Sequence, residues 1–208
     1  MKLVDIHTHN KDIDKGIISV HNISLDEFGN LTEKRNIYYS LGIHPYELEN
    51  SPESKLEKLK ILASDKHVKL IGECGLDKNI QTTYEKQLFY FKEQISISEQ
   101  LQKPLIIHCV GYFNELFELR KELKPTRRWI IHGFRSKPQL AQQALNAGFD
   151  ISFGEKFNAE SVKITPVEHL FIETDESKIS IAEIYQSIAR IKNCLPEQLN
   201  AGNHLLNC

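Results

Sequence analysis

Eight short apolar runs punctuate the chain: KLVDI, GIISV, IYYSLGI, VKLIGE, PLIIH, RWIIH, FDISF and HLFIE. Most are near-continuous in Ile, Leu, Val and Phe, the pattern of strands covered on both faces of a parallel sheet. Helix-like segments lie between them. SPESKLEKLKIL offers Ser51 as a cap and Pro52 in the first turn, and sets Leu56, Leu59 and Leu62 on neighbouring turns. TYEKQLFYFKEQISISEQL carries Leu88, Phe91 and Ile95 on one face, and YFNELFELRKEL does the same with Leu116, Leu119 and Leu123. Ser136 with Gln139 reads as a capping box for a helix that Gly148 ends. Ser180 with Glu183 repeats that signature ahead of Ile181, Ile184, Ile188 and Ile191, and Pro196 opens a last helix.

Buried strands alternating with amphipathic helices predict an α/β fold with a parallel sheet. Eight of them make a TIM-like (β/α)8 barrel the leading architecture. The first third departs from the ideal. Only about ten residues separate the first two runs, and the next connection, HNISLDEFGNLTEKRN, reads as a hairpin turning near Gly29 and Asn30. A parallel crossover normally takes a dozen residues or more. The expectation is therefore a barrel trimmed of its first one or two helices, with a hairpin over residues 17–42 that makes the second and third runs antiparallel.

Composition narrows the function more than the fold. At 208 residues the chain suits one domain, residues 1–208, with no repeat or linker. A net charge of −2 gives no basic excess for gripping nucleic acid by charge alone, yet leaves room for an enzyme that holds a phosphodiester through metal ions. No apolar stretch suits a signal peptide or a membrane span, so a cytoplasmic protein without membrane partners is expected. Cys74, Cys109, Cys194 and Cys208 form no CxxC and are expected as reduced thiols. Cys74 and Cys109 directly follow Glu73 and His108, and neighbours on a strand face opposite ways, so they are expected to pack rather than ligate.

The candidate chemistry sits where the runs end. His7 and His9 are two residues apart, so a strand turns both to one side. The pair alone fits either a shared metal ion or two ordinary polar residues. Glu73, His108, His132 and Asp175 fall at or just after the ends of later runs, and a barrel builds its active site from the C-terminal ends of its strands. His67 and His169 precede strands and are expected to be structural, His204 lies in the last helix, and His21 is undecided. Imidazoles and carboxylates together suit Zn, Mn, Ni or Mg, and two ions about 3.5–4 Å apart make a hydrolytic centre.

These residues also carry a resemblance. DIHTH, SLGIHP, IGECGLD, PLIIH, IHGF and IETD resemble, in order and spacing, the motifs of the TatD-type metal-dependent deoxyribonucleases, amidohydrolase-like barrel enzymes; LNAGNHLL resembles the family's closing helix. The resemblance implies that His7, His9, Glu73 and Asp175 hold one divalent ion, and that Glu73 bridges to a second held with His108 and His132. It implies hydrolysis of phosphodiester bonds, with DNA or nucleotides as substrate, by water activated at two metals. Glu73 and Asp175 would then be catalytic, Asp175 as the base.

The surroundings depart from the family. Val110 stands where an arginine is usual, and HGFRS replaces HCFSG, so Gly133 takes a cysteine's place and Arg135 adds a charge. Lys78 stands where an aromatic is common, and ESKIS runs into a helix where a proline-containing loop is frequent. A hydrolase of a small-molecule ester, amide or phosphoester is accordingly the second reading, and a non-catalytic metal-binding barrel the third. Asp5, Asp77 and Glu173 are candidates for orienting ligand imidazoles, the alternative being solvated or turn-capping carboxylates. His44, Phe134 and Arg135 are candidates for substrate contact, as is Tyr112 for stacking, against ordinary packing or exposure. Arg127 and Arg128 precede a strand and are expected on the far rim.

Overall fold

The computed structural model describes residues 2–10, 16–28 and 36–207. Eight strands follow one another in chain order in an eight-stranded sheet. They are β1 (Val4–Thr8), β2 (Ile18–Asn22), β3 (Ile37–Leu41), β4 (Val68–Asp77), β5 (Leu105–Val110), β6 (Trp129–Ile131), β7 (Asp150–Phe153) and β8 (Leu170–Ile172). The chain divides into two compact units.

The first unit comprises Met1–His21, Lys34–Tyr38 and Ile130–Cys208. Here β1 pairs parallel with β2, and β7 with both β6 and β8. Every residue of β1, β7 and β8 is buried, as the unbroken apolar runs predict. Its helices are α5 (Pro138–Asn146), α6 (Ala159–Ile164), α7 (Ile181–Lys192) and α8 (Ala201–Leu206). The start of β1 is fixed from both of the last two. The Tyr185 hydroxyl on α7 donates to the Val4 carbonyl at 2.9 Å. Asn203 on α8 donates to the Lys2 carbonyl at 3.0 Å. At the other end of β1, Asp175 N–H donates to the His7 carbonyl (3.0 Å) and His9 N–H to the Asp175 carbonyl (2.9 Å), so the backbone itself sets both histidines beside Asp175.

The second unit comprises Asn22–Glu33 and Tyr39–Trp129. Its helices are α1 (Leu25–Phe28), α2 (Ser54–Ala63), α3 (Tyr84–Leu101) and α4 (Phe113–Leu123). β4 and β5 pair parallel from Ile71↔Leu105 to Asp77↔Val110. They lie unusually close, and glycine permits it: a Cβ at Gly75 (φ +146°) would stand 2.0 Å from the His108 carbonyl oxygen, and one at Gly72 (φ +131°) 2.4 Å from that of Ile106. α3 starts at its cap Thr83, which accepts from Lys86 N–H at 3.4 Å, and buries Tyr90, Phe91, Ile95 and Ile97. Phe91 packs on Trp129 at 5.8 Å, and Arg120 covers the same indole at 5.4 Å.

Several expectations need correction. Residues 17–42 do not form a hairpin. Ser19 N–H bonds to the Asn36 carbonyl and Ile23 N–H to that of Ser40, a register that advances the same way along both segments, so β2 and β3 run parallel. The described residues between β1 and β2 include no helix, and α1, between β2 and β3, has 4 residues; residues 11–15 and 29–35, with the expected turn at Gly29 and Asn30, lie outside the described residues. β4 runs on to Asp77, so Glu73 lies within it rather than at its end. α2 is capped at Glu53, not Ser51, and α5 at Lys137 without any side-chain bond, so the Ser136 capping box does not form; Pro138 occupies the first turn instead. Ser180 does cap α7, accepting from Glu183 N–H at 3.3 Å. Pro196 opens a 3-10 turn, and the last helix starts at Ala201. The short α6 had no periodic signal to announce it.

Candidate metal centre

The first unit gathers four of the proposed ligands and two carboxylates behind them. His7 is fully buried, and its Nε2 and that of His9 each lie 3.9 Å from Asp175 Oδ1. The His132 ring centre is 4.7 Å from that of His7. His7, His132 and Asp175 each offer one donor atom within 4.8 Å of the others. Behind them Glu173 is fully buried; its Oε1 accepts Gly133 N–H at 2.6 Å and stands 3.4 Å from His132 Nδ1. Burial opposes its ionisation, but His132 and His7 hold its carboxyl below the usual range.

Asp5 needs correction as an imidazole orienter. Its oxygens accept from Thr174, N–H at 3.0 Å and hydroxyl at 2.6 Å, so it fixes the residue before Asp175 instead. Burial pushes its carboxyl up to about 7, against those bonds, which lower it.

The second unit holds a further group. His44, Glu73 and His108 each offer one donor atom within 4.8 Å of the others. Glu73 Oε1 lies 3.2 Å from His44 Nε2 and 2.9 Å from His108 Nδ1. The other nitrogen of His108 lies 2.9 Å from Asp77 Oδ2, the carboxylate–imidazole pairing that fixes a ligand's tautomer. Burial would raise the Asp77 carboxyl, but hydrogen bonds from His108 and Asn79 N–H hold it below its ordinary value. Tyr46 stacks at 4.8 Å on His44, and its phenol is raised chiefly by the Asp77 charge.

Two imidazoles and a carboxylate within such a radius fit a divalent cation, and both units supply such a set. The groupings differ from those the resemblance implies in two respects. His132 lies with His7 and Asp175, and His44, expected only as a substrate contact, lies against Glu73 and His108. Other candidates fall outside both groups. Phe134 is 2% exposed and packs edge-on against Phe153 at 6.0 Å, which leaves it no face for a base; its expected substrate contact is corrected to packing. His21 meets Ser19 at 2.9 Å, His67 meets Asp65 at 2.9 Å and His169 meets Asp150 at 2.7 Å, the last two structural as expected. The Tyr112 ring lies 5.0 Å from that of Tyr84. Arg135 is exposed on a cavity wall beside Asp175. The thiols of Cys74 and Cys109 are raised by burial, the second to about 12, as packed rather than ligating cysteines require.

Sequence reasoning missed two buried glutamines on α3. Gln87 Oε1 accepts Asp77 N–H at 2.7 Å, and its Nε2 donates to the Asp77 and Thr82 carbonyls at 3.0 and 2.8 Å. Gln94 does the same for Ile43, accepting at 2.7 Å and donating at 3.1 Å, one residue before His44. Their only signal is a pair of amides seven apart on an otherwise apolar helical face. A larger cavity of about 630 Å³ at the end of α7, lined by Arg190, Cys194 and Leu195, contains none of the donors.

Strands of a parallel α/β sheet carrying imidazole–carboxylate donor sets define a metal-dependent hydrolase of the barrel class. The chain belongs to the TatD-related DNase family, whose model matches residues 5–201. It is 34% identical to an uncharacterized metal-dependent hydrolase of Buchnera aphidicola subsp. Baizongia pistaciae over 78% of this chain and 69% of that protein. It is 32% identical to the uncharacterized metal-dependent hydrolase YcfH of Escherichia coli K12 over 69% of this chain, and the matched stretch spans 57% of YcfH. The crystal structure of YjjV, a TatD homologue from Escherichia coli K12, superposes with a TM-score of 0.84 at 19% identity, covering 98% of this chain and 97% of that one. That likeness shows the fold, the TIM-type parallel α/β barrel. Among the described residues, no helix is long and apolar enough to cross a membrane.

Proposed function

We propose that the chain hydrolyses phosphodiester bonds, of DNA or of nucleotides, using two divalent cations of the Zn, Mg, Mn or Ni kind. The observation that carries this reading is the pair of imidazole–carboxylate donor sets, one in each unit, in a member of the TatD-related family. When bound, the cations supply charge neutralisation for the phosphate and a lowered pKa for water. His7, His9, His132 and Asp175 are the proposed holders in the first unit, and Glu73 and His108, with His44 beside them, in the second. Asp175, more open than His7 behind it, accepts the proton released by the attacking water. Asp77 keeps His108 in one tautomer, and Glu173 lies 3.4 Å from His132 Nδ1 as a nearby negative charge. Arg135 faces the substrate. Free thiols at Cys74, Cys109 and Cys194 fit a reducing cytoplasm, where we place the protein.

The second reading keeps the site and exchanges the substrate for a small ester, amide or phosphoester; Val110 in place of the family's arginine favours it. One preparation separates the two. The protein is stripped with chelator, reloaded with Zn, Mg, Mn or Ni in turn, and assayed on single- and double-stranded DNA, dinucleotides, bis(p-nitrophenyl) phosphate and a panel of esters and amides. Metal-dependent phosphodiester turnover, lost in Glu73→Ala and Asp175→Ala, is expected. Turnover of esters or amides alone transfers the case to the second reading, and chelator-resistant turnover overturns both.

A further inference from the structure

The second unit holds its two imidazoles in different ways. After β3 the chain turns through a 3-10 segment, Pro45–Asn50, with His44 as its cap. Tyr46 N–H donates to His44 Nδ1 at 3.2 Å, so that nitrogen presents its lone pair to the turn. A ring whose Nδ1 accepts carries its proton on Nε2, and His44 Nε2 lies 3.2 Å from Glu73 Oε1. His44 is therefore set to donate a hydrogen bond to Glu73, with its lone pair turned away from the group. His108 is the converse. Its Nε2 lies 2.9 Å from Asp77 Oδ2, which keeps the ring proton on that side and leaves the Nδ1 lone pair beside Glu73.

Tyr46 bears on both rings. Although 64% exposed, it is held at three points. Its N–H is on His44, its ring lies 4.8 Å from the His44 ring, and its hydroxyl hydrogen-bonds to Asp77. A phenol is protonated at neutral pH, so the hydroxyl donates and the carboxylate accepts. The turn beneath it is fixed as well. Glu47 N–H donates to the His44 carbonyl at 2.9 Å, Ser51 Oγ to the Glu47 carbonyl at 2.7 Å and Lys86 Nζ to the Glu49 carbonyl at 3.0 Å. Gln94 secures Ile43 just before His44. An aromatic this exposed adds little to the core, yet it rises from rigid backbone and ends on the carboxylate that faces His108.

We propose that Tyr46 is a positioning residue of the second donor set, holding His44 as a hydrogen-bond donor to Glu73 and Asp77 against His108, and that Glu73 and His108, but not His44, are ligands of the second cation. The proposal rests on the reading of that set as a cation site. It leaves that cation one protein ligand fewer than the three donors together would give, and one more position open to water or substrate.

The tautomer is read first, without metal. In chelator-treated protein carrying isotopically labelled histidine, two-bond proton–nitrogen correlations report the tautomer of each ring, and His44 is assigned by its disappearance in His44→Gln. The proton is expected on Nε2; a proton on Nδ1 overturns the assignment. Zinc titration calorimetry then reads the ions. His44→Gln, whose amide can still donate to Glu73, is expected to retain the second ion, and loss of that ion would make His44 a ligand and overturn the proposal. Tyr46→Phe is expected to weaken the second ion about tenfold, to leave the first unchanged and to keep Tm within about 2 °C of the wild type. The same substitution in an Asp77→Asn background should add nothing, because the hydroxyl acts through Asp77. An unchanged second-ion affinity in Tyr46→Phe, or an undiminished effect in the Asp77→Asn background, overturns the positioning role. A wild type that binds one ion only removes the two-cation reading instead, and the ring tautomer still decides how His44 is held.

Discussion

Gln87→Leu tests how α3 supports the second donor group. The substitution keeps side-chain bulk and removes three hydrogen bonds, two of them to the backbone of Asp77. That leaves one buried N–H and one buried carbonyl without the glutamine, each costing about 1–3 kcal/mol. The leucine regains about 1–2 kcal/mol by burying apolar surface where the amide stood. At the middle of those ranges the net loss is about 2.5 kcal/mol, which for a chain of this size lowers Tm by roughly 5–10 °C. The assay is thermal and urea unfolding of the chelator-treated protein, so that metal binding does not mask the change. Because Asp77 Oδ2 also faces His108 Nε2, metal affinity should fall with stability. A Tm within about 2 °C of the wild type, with unchanged metal affinity, would refute the clamp.

Asp175 sits at φ +54°, a conformation asparagine also accepts, so Asp175→Asn should fold normally yet lose about 10²–10⁴-fold in kcat on any phosphodiester that the wild type cleaves; near-normal kcat would remove Asp175 as the base. Gly75→Ala should cost about 3 kcal/mol or more, since its Cβ meets the His108 carbonyl oxygen at 2.0 Å; a urea midpoint matching the wild type would show that β4 and β5 can part freely. Lys103, which donates to the Ala63 and Asp65 carbonyls, is lowered to about 8 by burial. Between its folded value and the ordinary 10.5 the unfolded chain binds more protons, so stability should rise with pH across that window. The gain is about 1 kcal/mol after solvent screening of a half-exposed ammonium, and a Lys103→Met profile that rises equally would contradict it.

The strands were legible because each is covered on both sides, and such strands must be nearly all apolar. The ligand candidates were legible for a related reason, since each follows or interrupts one of those runs. What failed was read from length or from isolated residues. The 17–42 segment is short for a crossover, yet Ser19 N–H bonds to the Asn36 carbonyl and Ile23 N–H to that of Ser40, which sets β3 parallel to β2. Ser136 carried a capping signature, but Pro138, with its fixed φ, starts the helix one residue later than that box allows. The partnering of His132 with His7, and of His44 with Glu73, depends on side chains from different strands, which spacing along the chain does not encode. Gln87 and Gln94 escaped notice because a polar residue on a helix face reads as solvent-facing until the strand backbone it serves is known.

The count of bound cations tests the central claim most directly. Protein reloaded with zinc or manganese and freed of excess should carry two ions per chain by elemental analysis, His7→Ala and His108→Ala should each carry one, and the double variant none. A wild type that binds no ion, or variants that retain both, would contradict the claim that these two donor sets hold the metals.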